Sequence, residues 1–130
     1  MADWDDVRRI ALALPETNER PSRGNAFWRV RDKGFVWERP LRQTDLAALG
    51  DAAPDGPILG VRVEHLGAKE ALLADPSGVF FTTPHFDGYP AVLVRLDAIA
   101  RDELEELIAE AWLCRAPRAL ARPWLKERGG

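Results

Sequence analysis

Asn25-Ala-Phe-Trp-Arg-Val-Arg-Asp-Lys-Gly-Phe-Val-Trp-Glu-Arg39 decides the fold class. Two runs rich in aromatic and β-branched residues flank Asp32-Lys33-Gly34. That spacing predicts a β-hairpin, with a short turn in which Gly34 is available for positive φ. Pro40 stops the second run, because proline cannot donate to a sheet ladder. The period of two places Phe27, Arg29 and Arg31 on one face and Trp28 and Val30 on the other. Strands joined this closely are antiparallel.

On the N-terminal side, Trp4, Val7, Ala11 and Leu14 recur at helical spacing. Asp3 is placed to cap that helix, and Asp5 and Asp6 suit its positive end. Pro15 ends it, since the residue before a proline avoids helical geometry. Glu16 to Gly24 is polar and contains Pro21 and Gly24, so a loop is expected.

On the C-terminal side, Thr44 to Leu49 predicts a short helix closed by Gly50, and Asp51 to Pro57 a loop. Ile58 to Val63 predicts a strand, Lys69 to Asp75 a helix, and Asp75-Pro-Ser-Gly78 a turn. Val79 to Thr83 and Ala91 to Leu96 are two more strands around the loop Pro84–Pro90. A long helix then carries Leu104, Leu107, Ile108, Ala111 and Trp112 on one stripe, though Ala100 is a weak cap. Pro117 breaks or restarts it, and the segment around Trp124 is a last helix. The expected architecture is α+β: one antiparallel sheet of about five strands, with helices on one face.

The chain has 130 residues, 46% hydrophobic and 30% charged. That suits one globular domain over residues 1–130 with a core of its own. Cys114 is the single cysteine, which excludes an internal disulfide and favours a reducing compartment. The start, MADWDDVRR, is acidic where an export signal would be basic and then apolar. Apolar runs such as Ala91–Val94 are too short to span a bilayer. A cytoplasmic protein without membrane partners is expected.

Val79-Phe-Phe-Thr-Thr-Pro-His-Phe-Asp-Gly-Tyr-Pro-Ala-Val-Leu-Val-Arg-Leu96 is long and unusual in composition. Together with Leu14-Pro-Glu-Thr17 and Ala26-Phe-Trp-Arg-Val-Arg-Asp-Lys-Gly-Phe35 it resembles the MmcQ/YjbR-like family over nearly the whole chain. The resemblance implies a fold like that of the bacterial CyaY/frataxin-like proteins, with hairpin wings. It also implies a DNA-binding role, inferred for the family from that double-wing shape. It does not carry iron binding to this chain. Many relatives place histidine after the glycine at the first strand, where Asn25 stands here.

Net charge is −3, which argues mildly against indiscriminate nucleic-acid binding. The charge is segregated, however. Arg20, Arg23, Arg29, Arg31, Lys33, Arg39 and Arg42 outnumber the nearby Glu19, Asp32 and Glu38. Arg115, Arg118, Arg122, Lys126 and Arg128 meet only Glu127. Duplex DNA is therefore the leading partner, with Arg23, Arg29, Arg31, Lys33, Arg39, Arg42, Arg115, Arg118 and Arg122 as candidate phosphate contacts. Phe27, Trp28, Phe35 and Trp37 either stack on bases or serve as packing residues.

The alternative is a small-ligand or protein-partner site on the loop Thr82–Pro90, using Thr83, His85, Asp87 and Tyr89. There His85 and Asp87 would form an oriented pair and Tyr89 a donor. The bland account of the same residues is turn chemistry fixing the loop path. His65, His85 and Asp87 lack metal-ligand spacing, so no metal is expected. No phosphate loop, dinucleotide fingerprint or Gly-x-Ser-x-Gly elbow is present, so no cofactor and no catalytic residue is assigned. A non-enzymatic binding protein is the expectation. Cys114 is expected to be buried and inert.

Overall fold

In the computed structural model, which describes residues 2–129, the first helix is α1 (Trp4–Leu12). Asp3 caps it as the sequence predicts: its carboxylate accepts from the Asp6 N–H, and Asp6 accepts from the Asp3 N–H. This reciprocal arrangement satisfies two otherwise orphaned donors. The Thr17 hydroxyl donates to the Ala11 and Leu14 carbonyls at 2.8 and 2.9 Å, which turns the chain back past Pro15.

The sheet contains β1 (Thr17–Glu19), β2 (Phe27–Val30), β3 (Lys33–Glu38), β4 (Ile58–Arg62), β5 (Phe80–Phe81) and β6 (Ala91–Arg95). All pairings are antiparallel, in the order β1-β2-β3-β4-β6-β5. The helices are α1, α2 (Gln43–Leu49), α3 (Leu66–Leu73), α4 (Arg101–Arg115) and α5 (Arg118–Gly129). The chain is α+β with a single antiparallel sheet, as the hairpin signal implies.

Three local expectations are corrected. Thr17–Glu19 is an edge strand rather than loop, paired with β2 in the register Thr17↔Val30 to Glu19↔Trp28. Its side chains are polar, so it shows no apolar alternation; ion pairs and the Trp28 indole hold it instead. The hairpin turn lies one residue earlier than expected. Arg31 and Asp32 adopt φ of 45° and 70°, while Gly34 sits in β3. Positive φ at both central residues is the type I′ geometry that matches strand twist, and aspartate tolerates it. Helix α3 starts at Leu66 because His65 caps it, its Nδ1 accepting from the Ala68 N–H at 3.0 Å.

One sheet face packs on α1, α3, α4 and α5. The row Trp28–Val36–Val61–Val92 crosses it, all fully or almost fully buried against Val7, Leu104, Ile108 and Trp112. The Trp112 indole donates to the Pro15 carbonyl at 3.1 Å, joining α4 to the exit of α1. Arg115 ends α4, and Pro117 precedes the restart as α5, whose Trp124 ring lies 5.1 Å from Trp112. The other face carries the row Phe27–Trp37–Gly60–Leu93–Phe81. Among the described residues no long helix covers it. A smaller cluster of Ile58, Phe86, Ala91 and Leu93 does so in part, with Trp37, Leu41 and Phe81 around it.

The pair between α1 and α4 makes an acid-stability prediction. Hydrogen bonding to Arg101 (3.0 Å) holds the Asp6 carboxyl down to about 2, assisted by the Asp3 N–H and Arg9 and opposed by burial. A carboxyl depressed below its ordinary 3.8 adds stability that is complete above that value and lost as pH falls towards 2. Urea midpoints should therefore decline between about pH 4 and pH 2. In Asp6→Asn that part of the decline should vanish; an unchanged slope would assign it to other carboxylates.

Candidate ligand cleft

The partly uncovered sheet face opens into a cleft of ≈ 830 Å³. Its floor is β2 and β3, through Phe27, Gly34 and Trp37. One wall is the segment Arg39–Arg42 and the other is His85–Tyr89, while Arg23 and Arg115 line it from outside both. Cations from both basic segments of the sequence thus meet at one place, and there they join the loop read as the alternative site.

The wall at Arg39 is built from buried charge. Arg39 Nη1 lies 3.0 Å from the Asp45 carboxylate, and the two side chains are 8% and 2% exposed. Burial works to raise the Asp45 pKa. The Arg42 N–H at 2.8 Å and the Arg39 guanidinium outweigh it and leave the carboxyl below its ordinary range. Thr83 Oγ1 stands beside the same carboxylate without meeting hydrogen-bond geometry, and it is buried with no other partner. Arg39 Nη2 is likewise buried and unpartnered, and the guanidinium lies 5.3 Å from the centre of the Phe86 ring. A buried N–H without an acceptor is costly in a finished protein interior.

The opposite wall is pinned from behind. Lys69 is 6% exposed, and its ammonium donates to the Phe86 and Tyr89 carbonyls at 2.6 and 2.9 Å. Burial lowers its pKa, and the Asp87 carboxylate opposes that. Pro84–Phe86 forms a 3₁₀ turn, and Phe86 anchors it in the sheet cluster. The His85 ring meets the Phe86 ring edge-on at 4.9 Å. Tyr89 Oη accepts from Arg62 at 2.9 Å, with the guanidinium 5.1 Å from the ring centre.

Some candidates stand elsewhere. Arg29 donates to the Arg20 carbonyl at 2.7 Å and lies 4.3 Å over the Phe27 ring. Arg31 is engaged by Glu16 at 2.8 and 3.1 Å, and Arg20 by Asp32 at 3.1 Å. Lys33 is exposed at the hairpin tip. Arg118 and Arg122 line a separate groove of ≈ 920 Å³ between α3, α4 and α5, with Arg62, Glu64 and Glu110. Thr83 lies behind the wall rather than in the cleft. Among the described residues no hydrogen bond joins His85 to Asp87, so the oriented pair expected of them is not formed. His65 is a helix cap, and no cluster of three metal-ligating side chains occurs among the described residues. Cys114 is exposed rather than buried, although crowding by its neighbours and Glu64 pushes its thiol pKa up.

Sequence reading missed Asp45, Lys69 and Gly60. Asp45 stood unremarked within the expected helix Thr44–Leu49, and Lys69 only as the first residue of the expected helix Lys69–Asp75. A lysine whose helix neighbours Ala68 and Leu72 face the core was the available signal for the second. The four aromatics of the hairpin divide by face. Trp28 and Phe35 are core, whereas Phe27 and Trp37 are half-buried on the cleft side.

Among the described residues no helix is long and apolar enough to cross a membrane. Comparison with known proteins then places the chain. A family model described as YjbR matches residues 12–114. Uncharacterized protein Rv2570 of Mycobacterium tuberculosis (strain ATCC 25618 / H37Rv) is 54% identical over 132 residues, covering 99% of this chain and all of the relative. Uncharacterized protein Mb2600 of Mycobacterium bovis matches to the same extent. Deinococcus radiodurans protein DR2400, with a DUF419 domain, has a crystal structure that superposes with a TM-score of 0.66 at 19% identity. That match covers 99% of this chain and 89% of the other, and at such identity it speaks for the fold. On sequence and architecture together, this chain belongs to the YjbR family.

Proposed function

We propose that this protein is a non-enzymatic binding protein whose small-molecule ligand sits in the cleft between the β2–β3 hairpin and the His85–Tyr89 wall. One observation carries this: cations distant in sequence converge on a concave surface, where Arg39 holds a buried N–H with no acceptor. Concave sites with a few converging polar groups are where proteins hold small molecules. Asp45 already neutralises Arg39; the other lining arginines, Arg23, Arg42 and Arg115, outnumber the carboxylates of Glu38 and Asp87, which supports an anionic ligand.

A thermal-shift screen of small anionic metabolites tests it. A ligand at 100 times its Kd adds about 2.7 kcal/mol of stability. Arg42→Glu and His85→Ala should each abolish or sharply reduce that gain. If every stabilising compound worked equally on both variants, the cleft would not be the site.

Duplex DNA on the hairpin tip is the second reading, favoured by exposed Lys33 and by Arg118 and Arg122, which are exposed on α5. It is weakened by the acids already holding Arg20 and Arg31. Fluorescence anisotropy with a duplex at about 50 mM salt decides it, because phosphate contacts are strongest at low salt. Binding whose salt slope falls on replacing Lys33 and Arg29 with alanine would support DNA; an absence of binding would remove it.

A further inference from the structure

The floor of the cleft has a construction that the position of its backbone does not require. Gly34 and Gly60 lie inside strands, and neither has positive φ. Any residue could adopt these backbones, so the glycines serve something else. A Cβ on Gly60 would overlap the Trp37 indole, and one on Gly34 would overlap the Phe27 ring. The two rings therefore lie down on the sheet where side chains are missing, 5.6 Å apart between centroids and within 13° of parallel. Phe27 is held between Gly34 and the Arg29 guanidinium. Trp37 has Gly60 against its indole and Phe27 parallel to it, and it lines the cleft.

Glycine inside a strand weakens it, and it often marks a close approach by another group. Two such glycines, both under aromatic rings in one cleft, keep a flat apolar surface beside guanidinium groups. Indole is a good stacking surface for a planar ring. Guanidinium is a planar donor fork suited to phosphate or carboxylate. Arg39, whose buried Nη2 has no partner, and the exposed Arg42 both line the same cleft.

We infer that the cleft takes a flat ring bearing an anionic group, the ring laid on Trp37 and the anion held by Arg39 and Arg42. This rests on the cleft being the binding site and adds the chemical class of what fills it. The anion comes from either of two sources, a nucleotide phosphate or an aryl carboxylate, with one shared chemistry.

Calorimetric titration of the full 130-residue chain separates the elements. The probes are AMP and indole-3-acetate (ring plus anion), adenosine (ring alone) and inorganic phosphate (anion alone). At least one ring-bearing anion should bind about tenfold or more tighter than adenosine and phosphate, since each half then contributes. Whichever of AMP and indole-3-acetate binds identifies the source. Arg42→Gln, at an exposed position, and Trp37→Leu should each weaken it about tenfold, which is a loss of one contact of ordinary strength. Arg118→Gln, in the other groove, should not. The Arg42 variant keeps the test sharp if Trp37→Leu unfolds.

Adenosine binding as tightly as AMP, phosphate binding as tightly as either, or no binding of both ring-bearing anions at millimolar concentration would overturn the inference. Those results leave the cleft itself standing if a thermal-shift hit of other chemistry is still abolished by Arg42→Glu. Amide shifts from AMP or indole-3-acetate confined to α3–α5 would overturn both.

Discussion

Asp45→Ala should lower unfolding stability by about 3–5 kcal/mol, because it strands Arg39 as an unpaired charge in the interior. The two side chains are almost wholly buried, and Asp45 also accepts from the Arg42 N–H at the start of α2. Removing it deletes the counter-charge and one of the acceptors that order the cleft wall. Asp45→Asn keeps the shape and an acceptor oxygen while losing the charge, so it should fall between wild type and alanine. Glu16→Gln removes the acid from Arg31 at the exposed hairpin tip, where both side chains are about half exposed. Water already screens that pair, and its urea midpoint should barely move. Midpoints by far-UV circular dichroism check all three. If Asp45→Ala and Glu16→Gln shifted the midpoint equally, the Arg39–Asp45 pair would not be buried as described.

Trp28→Ala should cost about 3–5 kcal/mol, the range for emptying a large aromatic site in a packed core. Trp28 is fully buried at the crossing of β2 with the helical layer, and its ring stacks 6.4 Å from Trp4 at 18°. The indole N–H also donates to Glu19 at 3.0 Å. That bond ties the edge strand β1 to the core, and Arg8 reinforces Glu19 at 2.7 and 3.1 Å. Trp28→Phe keeps most of the ring and loses the donor, so about 1–2 kcal/mol is expected. Hydrogen exchange adds a local readout. In Trp28→Phe, amides of β1 should lose protection before those of β4 and β6. Uniform loss across the sheet would mean that β1 does not depend on the indole.

The aromatic hairpin shows how far local pattern carries. Alternation alone separates Trp28 and Val30 from Phe27 and Arg29, and the structure buries the first pair more deeply. Register within the turn was beyond it. Asp32-Lys33-Gly34 carries a glycine, yet the chain turns at Arg31 and Asp32, and Gly34 lies in β3 against the Phe27 ring, a contact no local pattern announces. Strand β1 was hidden for a different cause. An edge strand of Thr, Asn and Glu buries little, so its place depends on partners well removed in sequence. Of the site, the basic groups and the Pro84–Pro90 loop were visible as chemistry, but as two rival locations. That Arg23, Arg39, Arg42 and Arg115 share a cleft with His85, Asp87 and Tyr89 is a fact of chain crossing.

Residue order by itself determined the α+β class, the antiparallel hairpin, the Asp3 cap and the helical stripe of Leu104 to Trp112, because each depends on neighbours within a few positions. Tertiary structure alone decided which charges are spent on other charges. Arg31 meets Glu16 across 15 positions, and Arg101 meets Asp6 across 95. Periodicity repeats along the chain and can be read there. Electrostatic pairing and burial depend on distance in space, which the chain sets only once it has folded.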